Sequence, residues 1–139
     1  MPAILFVDDN EEILTHGKLF LEGSGTMTVD TVTSPTMAIE RLKCGKYDAI
    51  LSDYNMPVMN GIEFLHYVRN EYGDIPFIIF THDDTHQVFT ESLEGGADYC
   101  IVKSFEPKHQ FVSLGYLFRH IIELKRTRDK QRIPQEQEK

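Results

Sequence analysis

Short apolar stretches that alternate with helical patterns constrain the fold of this chain more than any other feature. The first, residues 3–7, has no alternating polar residues, which is typical of a strand buried on both faces. The second alternates like a half-exposed strand near a sheet edge. The stretches predicted as strands are residues 3–7, 27–32, 47–52, 76–80 and 99–102.

Helical periodicity follows each of these stretches. Apolar residues recur at helical spacing, and several segments begin at capping residues or end at glycine. The predicted helices are residues 11–22, 34–45, 61–72, 85–94 and a long last helix from 107 to about 124. Strands that alternate with helices predict an α/β fold, a doubly wound parallel sheet of five strands. The length of 139 residues suits one domain.

Polar side chains follow four of the five predicted strands. They are Asp8 and Asp9 after the first strand, Asp53 after the third, Thr81 after the fourth and Lys103 after the fifth. Because parallel strands bring their carboxyl ends to one edge of a sheet, these groups are expected to share a pocket. Clustered carboxylates repel one another unless a cation joins them, and oxygen ligands with open water positions suit Mg²⁺.

Such a pocket favours phosphoryl chemistry. A carboxylate beside Mg²⁺ can attack a phosphoryl group to form an acyl phosphate, and an ammonium such as that of Lys103 balances the charge on the transferring oxygens. Thr81 can donate its hydroxyl to a phosphoryl oxygen. Each residue also has an ordinary role, since acids cap helices, Asp53 precedes a turn at Pro57, and lysines cover surfaces. Their joint occurrence at strand ends favours the site.

Composition limits the classes of function and the cellular location that this chain can have. The formal net charge of −8 and pI near 5.1 argue against direct nucleic-acid binding. No apolar run has membrane-spanning length, and the N-terminus lacks a signal-peptide pattern. Cys44 and Cys100 have no metal-ligand spacing, which favours a reduced cytoplasmic chain. The expected domain is residues 1–125, with residues 126–139 as a charged helical extension or a disordered linker.

Three motifs make the chain similar to a known family. Asp53-Tyr54-Asn55-Met56-Pro57-Val58-Met59-Asn60-Gly61 matches the pattern D-x-x-M-P-x-M-x-G. Val7-Asp8-Asp9 resembles an acidic pair, and Gly96-Ala97-Asp98 with Ile101-Val102-Lys103 resembles a last-strand motif. Together they resemble the response-regulator receiver domain of two-component signalling, the CheY-like superfamily, from about residue 3 to about residue 124.

The resemblance implies a flavodoxin-like (βα)5 fold with strand order 2-1-3-4-5. It implies that Asp53 takes a phosphoryl group from a histidine kinase or phosphotransfer protein with Mg²⁺ as cofactor. Asp9, Asp53 and the backbone carbonyl of Asn55 would bind the metal directly, and Asp8 through water. Thr81 and Lys103 would contact the phosphoryl group.

The same resemblance implies a phosphoprotein that acts as a signalling domain rather than an enzyme, although it catalyses its own phosphoryl transfer and dephosphorylation. Phosphorylation would reshape the surface of the fourth helix, fifth strand and last helix for a downstream protein partner, and would involve no membrane. A homodimer through the last helices is a further expectation.

Three positions depart from the family pattern. Cys100 stands where an aromatic residue is usual, Ser104 replaces a proline in a cis bond, and the bulky His82 follows the threonine. A cis bond before Ser104 would cost about 3–4 kcal/mol. Asn55 and Asp83 are candidates for orienting or blocking an attacking water. His82, Asp83 and Cys100 are expected to modulate the site.

Three rival functions compete with this interpretation. An aspartyl-phosphate phosphatase would need D-x-D-x-T, where this chain has Asn55 and Pro57. A dinucleotide-binding domain would need G-x-G-x-x-G directly after the first strand, where Asp8 and Asp9 stand. A pseudo-receiver that docks a partner without phosphorylation is compatible with the three departures.

Overall fold

The computed structural model describes the backbone of residues 1–137 and the side chains of residues 1–130. Strands and helices alternate along the chain as the sequence predicts. The strands are β1 (Ala3–Val7), β2 (Thr28–Val32), β3 (Ala49–Ser52), β4 (Phe77–Thr81) and β5 (Tyr99–Val102). The helices are α1 (Glu11–Glu22), α2 (Pro35–Cys44), α3 (Gly61–Tyr72), α4 (His86–Glu94) and α5 (Pro107–Gln137).

The five strands form one parallel sheet in the order β2-β1-β3-β4-β5. This confirms the predicted strand order and fold class. Val7 lies beside Ser52, and Thr81 lies beside Val102, so these strands end at the same edge of the sheet. The backbone ladder continues one residue further, because the Asp53 N–H donates to Val7 O at 2.9 Å. The residues that follow the strands are therefore held side by side.

Apolar side chains cover both faces of the sheet, as the unbroken apolar runs predict. On one face Phe6, Phe80 and Phe111 pack with ring centroids 5.5 to 6.5 Å apart. On the other face Phe64 and Phe77 pack against each other at 5.7 Å. Every residue of β3 and β4 is buried, whereas β5 is partly exposed because it is an edge strand.

Side-chain caps begin the helices immediately after the site loops. Asn10 accepts hydrogen bonds from the backbone N–H groups of the first turn of α1. Asn60 and Glu63 form a capping box at α3, and Thr85 caps α4. Because these caps fix where each helix begins, they also limit the conformations of the loops that carry the site.

The last helix extends beyond residue 124, where the sequence left open a charged helical extension or a disordered linker. It continues to Gln137, and basic side chains tie its continuation to acids of the domain. Lys125 Nζ lies 3.0 Å from Asp98 Oδ1, and Arg128 pairs with Asp74. The domain boundary at 125 stays a prediction, and residues 138 and 139 lie outside the described residues. Within residues 1–137, no helix combines the length and apolarity needed to cross a membrane.

Candidate functional site

Three acids predicted to share a pocket do so in the structure. Asp8, Asp9 and Asp53 each offer a carboxylate oxygen within 4.8 Å of the others. Asp8 and Asp53 are buried and Asp9 is exposed, so the cluster opens to solvent on one side. The strand ladder explains this arrangement, since Asp8 N–H donates to Val32 O and Asp53 N–H donates to Val7 O.

Lys103 lies between two of these acids. Its Nζ donates to Asp8 Oδ2 at 2.7 Å and lies 3.5 Å from Asp53 Oδ2. The lysine side chain is only 5% exposed, and its ammonium lies 5.7 Å from the centroid of the Phe80 ring. A buried ammonium with two carboxylate partners is held in one position, beside the oxygen atoms of Asp53.

The charge of the site favours a divalent cation. Three carboxylates and one ammonium carry a net charge of −2 when all are ionised. Burial and then the charge of Asp8 raise the pKa of the Asp53 carboxyl to about 6, against the opposing effects of Lys103 and the Tyr54 N–H. A set of carboxylate oxygens without histidine or cysteine fits Mg²⁺ rather than a softer metal.

Thr81 ends β4 with its side chain buried at the sheet edge. Its Oγ1 accepts a 3.1 Å hydrogen bond from the Asp83 N–H, and Asp83 Oδ1 accepts one from the Thr85 N–H at 3.0 Å. The Thr81 hydroxyl keeps a proton that it can donate. The Asp83 carboxylate therefore holds the turn into α4, and His82 beside it is exposed to solvent.

The loop after β3 requires a glycine at position 61. The Gly61 N–H donates to Tyr54 O at 2.8 Å, and a Cβ at Gly61 would lie 2.2 Å from Asp53 O. Between them, Val58 has a φ of 72°, and the Met59 N–H donates to Pro57 O at 2.8 Å to close a three-residue turn. Asn55 lies before this turn and is exposed, and its carbonyl remains a predicted metal ligand.

The structure gives further detail at two of the three positions at which the sequence departs from the family pattern, Ser104 and Cys100. Within residues 1–137 no peptide bond is cis, so the Lys103-Ser104 bond is trans. Cys100 is half-buried rather than fully in the core, because β5 is an edge strand, and burial raises the pKa of its thiol. Its modulating role, like that of His82, stays a prediction.

Sequence reasoning missed two contacts near the site. The Tyr54 phenol donates to Glu91 Oε2 in α4 at 3.0 Å, and the Gln110 side chain contacts the backbone on both sides of Lys103. Tyr54 adjoins the proposed acceptor in sequence, which was an available signal for its importance. Gln110 lies seven positions beyond Lys103 on another element, and no sequence signal identifies it.

Comparison with known proteins gives evidence on the family of this chain that is independent of the site geometry. A model of the response regulator receiver domain family matches residues 4–113, which is more than half of the chain. The transcriptional regulatory protein BasR of Escherichia coli is 31% identical over 102 residues, covering 73% of this chain and 46% of BasR. The chain thus spans about half the length of such relatives. The chemotaxis protein CheY-3 of Vibrio cholerae is 30% identical over 73% of this chain and 80% of CheY-3.

Solved structures of similar fold include response regulators and their receiver domains. The receiver domain of the Francisella response regulator 1452 has a TM-score of 0.76 and 25% identity, covering 87% of this chain and 99% of that one. The response regulator TrrA of Thermotoga maritima, solved in complex with Mg²⁺-BeF, has a TM-score of 0.73 and 27% identity. That comparison covers 84% of this chain and 99% of TrrA.

Proposed function

The chain belongs to the response regulator receiver domain family of two-component signalling, and we propose that Asp53 is its phospho-acceptor. The observation that carries this proposal is the position of Lys103, whose ammonium contacts Asp8 and lies 3.5 Å from Asp53 Oδ2. A lysine with only a surface role would be exposed to solvent and would not be buried between two acids at the edge of the sheet.

The proposed reaction is an in-line phosphoryl transfer. An oxygen of the Asp53 carboxylate attacks the phosphorus of a phosphohistidine on a histidine kinase or phosphotransfer protein. The new P–O bond forms as the P–N bond breaks, and the electron pair of the broken bond stays on the imidazole nitrogen. Lys103 holds its positive charge beside the transferring oxygens, and Thr81 donates its hydroxyl to one of them.

Asp8, Asp9, Asp53 and the carbonyl of Asn55 are the residues that would hold Mg²⁺, with Asp8 acting through water. The oxygen-only donor set and the excess negative charge support this assignment. When bound, Mg²⁺ would neutralise charge that builds on the phosphoryl oxygens. The buried Asp8 also accepts the Asn10 N–H at 2.9 Å, which holds its carboxylate in place.

The receiver is a signalling domain, and its finer properties are part of the proposal. We infer that the domain of residues 1–125 works in the cytoplasm, hydrolyses its own acyl phosphate, and changes the α4-β5-α5 surface for a downstream protein. The presence of all five strand-end groups at one edge favours this over a pseudo-receiver. Asn55 and Pro57 argue against a phosphatase of the D-x-D-x-T type. A homodimer through α4 and α5 is compatible with exposed Tyr116 but is not required.

The direct test is incubation with acetyl phosphate and Mg²⁺, followed by intact-mass measurement. We expect the wild type to gain one phosphoryl group, and Asp53→Asn and a chelated sample to gain none. Asp84→Asn removes an exposed carboxylate near the site and serves as the matched control, so it should behave as the wild type. Phosphorylation of Asp53→Asn at the wild-type rate, or none in the wild type with bound Mg²⁺, would reject the assignment.

A further inference from the structure

We propose that Gln110 is a positioning residue that fixes Lys103 through the backbone on either side of it. The inference rests on the proposed function, since Lys103 matters here as the cation beside Asp53. Gln110 lies in the first turns of α5, and within residues 1–130 its side chain makes no hydrogen bond to the acids or to the lysine ammonium.

The contacts of Gln110 form a two-point clamp. Its Nε2 donates to Val102 O at 2.7 Å, and its Oε1 accepts from the Ser104 N–H at 2.8 Å. These two backbone groups flank Lys103 directly. The Lys103 N–H donates to Thr81 O at 2.8 Å, so the backbone around the lysine is anchored from β4 on one side and α5 on the other.

The chemistry of the clamp requires an amide. Val102 O accepts only and the Ser104 N–H donates only, so the partner must donate at one end and accept at the other. If the Gln110 amide were flipped, its oxygen would face Val102 O and its NH₂ group would face the Ser104 N–H, and neither pair can form a hydrogen bond. This establishes the orientation of the Gln110 side chain. Glutamate would keep the acceptor for Ser104 and place a second oxygen against Val102 O.

A residue with a backbone N–H at position 104 is necessary for the same clamp. A proline at this position would have no N–H to donate, so the Gln110 Oε1 would lose its partner. The Ser104 Oγ also accepts from the Glu106 N–H at 3.2 Å, which helps to begin α5 one turn before Gln110. The loop of residues 103–106 is therefore held by hydrogen bonds in a trans conformation, although Phe105 within it is fully exposed.

A fixed backbone matters because the Lys103 ammonium must reach two acids at once. Its distances of 2.7 Å to Asp8 and 3.5 Å to Asp53 depend on where the chain leaves β5. A shift of about 1 Å at a catalytic group costs as much as 100-fold in rate. Loss of the clamp is therefore expected to slow phosphoryl transfer without removing any group that contacts the phosphoryl.

The test compares Gln110→Leu with His109→Ala, a change at an exposed neighbour in the same turn of α5. Hydrogen exchange at the Ser104 N–H reports the clamp without any phosphoryl chemistry, and we expect it to be about fivefold faster in Gln110→Leu. The acetyl phosphate reaction should slow about tenfold in this variant. His109→Ala should match the wild type in both measurements.

A double-mutant cycle separates positioning from general damage to the domain. If Gln110 acts through Lys103, Gln110→Leu has no further effect in a Lys103→Ala background, whereas a destabilised domain would slow both backgrounds equally. Unchanged Ser104 exchange overturns the clamp. Faster exchange with an unchanged phosphorylation rate overturns the positioning role and leaves Asp53 as acceptor. A wild type that is not phosphorylated overturns the proposed function itself.

Discussion

The Tyr54 hydroxyl donates a 3.0 Å hydrogen bond to Glu91 Oε2 and so joins the loop after β3 to helix α4. The same residue donates its backbone N–H to Asp53 Oδ1 at 2.8 Å. Gln87 Nε2 donates to the other oxygen of Glu91, Oε1, at 2.9 Å, so a residue of the same helix also positions this carboxylate. Tyr54 thus connects the proposed acceptor carboxylate to α4.

Tyr54→Phe removes this link while keeping the ring. We expect it to lower the free energy of unfolding by about 1 kcal/mol, the usual net value of one hydrogen bond. Hydrogen exchange in α4 should become faster, and phosphorylation of Asp53 should change less than about twofold, because the backbone N–H of residue 54 is kept. Tyr116→Phe, at an exposed tyrosine, is the matched control. Unaltered exchange in α4 would contradict the link.

The raised pKa of Asp53 predicts how metal-free stability depends on pH. The folded protein holds this proton up to about pH 6, whereas an unfolded carboxyl releases it near 3.8. The folded state therefore binds more protons between these values, and stability falls as pH rises through the window, by about 3 kcal/mol in total.

Urea unfolding in a chelator from pH 4 to pH 7 measures this effect. Asp53→Asn should lose the decline, so the difference between its curve and that of the wild type isolates the contribution of Asp53. Parallel curves for the two proteins would show that Asp53 titrates normally.

Mg²⁺ should stabilise the domain by relieving the excess negative charge. At 100 times its dissociation constant a ligand that binds only the folded state adds about 2.7 kcal/mol. Because protons compete for Asp53, Mg²⁺ binding should weaken as the pH falls through about 6. The chain has no tryptophan, so calorimetry is the suitable measurement. Asp9→Asn should lose most of the effect, and a full response in that variant would exclude Asp9 as a ligand.

Gly61→Ala should distort the acceptor loop. Its Cβ would meet Asp53 O at 2.2 Å and Tyr54 Cα at 2.9 Å, and both are backbone atoms that cannot rotate away. We expect a loss of about 2 to 3 kcal/mol in unfolding free energy and a slower reaction at Asp53. Gly45→Ala is the control, since its nearest neighbour is at 3.8 Å and its φ is −148°. Equal losses in the two variants would contradict the steric argument.

Val58→Gly should stabilise the protein. A β-branched residue at a φ of 72° is strained by about 1 to 3 kcal/mol, and the side chain is fully exposed, so it contributes no packing. The entropy cost of glycine offsets about 0.5 to 1 kcal/mol of this relief. Thermal unfolding should show a net gain of about 1 kcal/mol. Val112→Gly in α5 should show a loss of similar size, because glycine weakens a helix.

Local patterns were sufficient for the architecture and for most of the site. Unbroken apolar runs indicate strands buried on both faces, and a parallel sheet then requires that Asp8, Asp53 and Lys103 follow strands at one edge. Those predictions depend only on which face of each element is apolar, which short-range periodicity records. The family motifs added the order of the strands, which the structure confirms.

The tertiary structure alone decided which side chains meet across elements. Tyr54 and Glu91 lie 37 positions apart, and the Gln110 clamp depends on how the first turns of α5 pack beside β5. Cys100 is half-buried because β5 is the last strand of the sheet, which its own apolar run does not reveal. The continuation of α5 past Leu124 is accompanied by ion pairs to Asp98 and Asp74. Contacts of this kind depend on the packing of distant elements, which no local pattern of residues encodes.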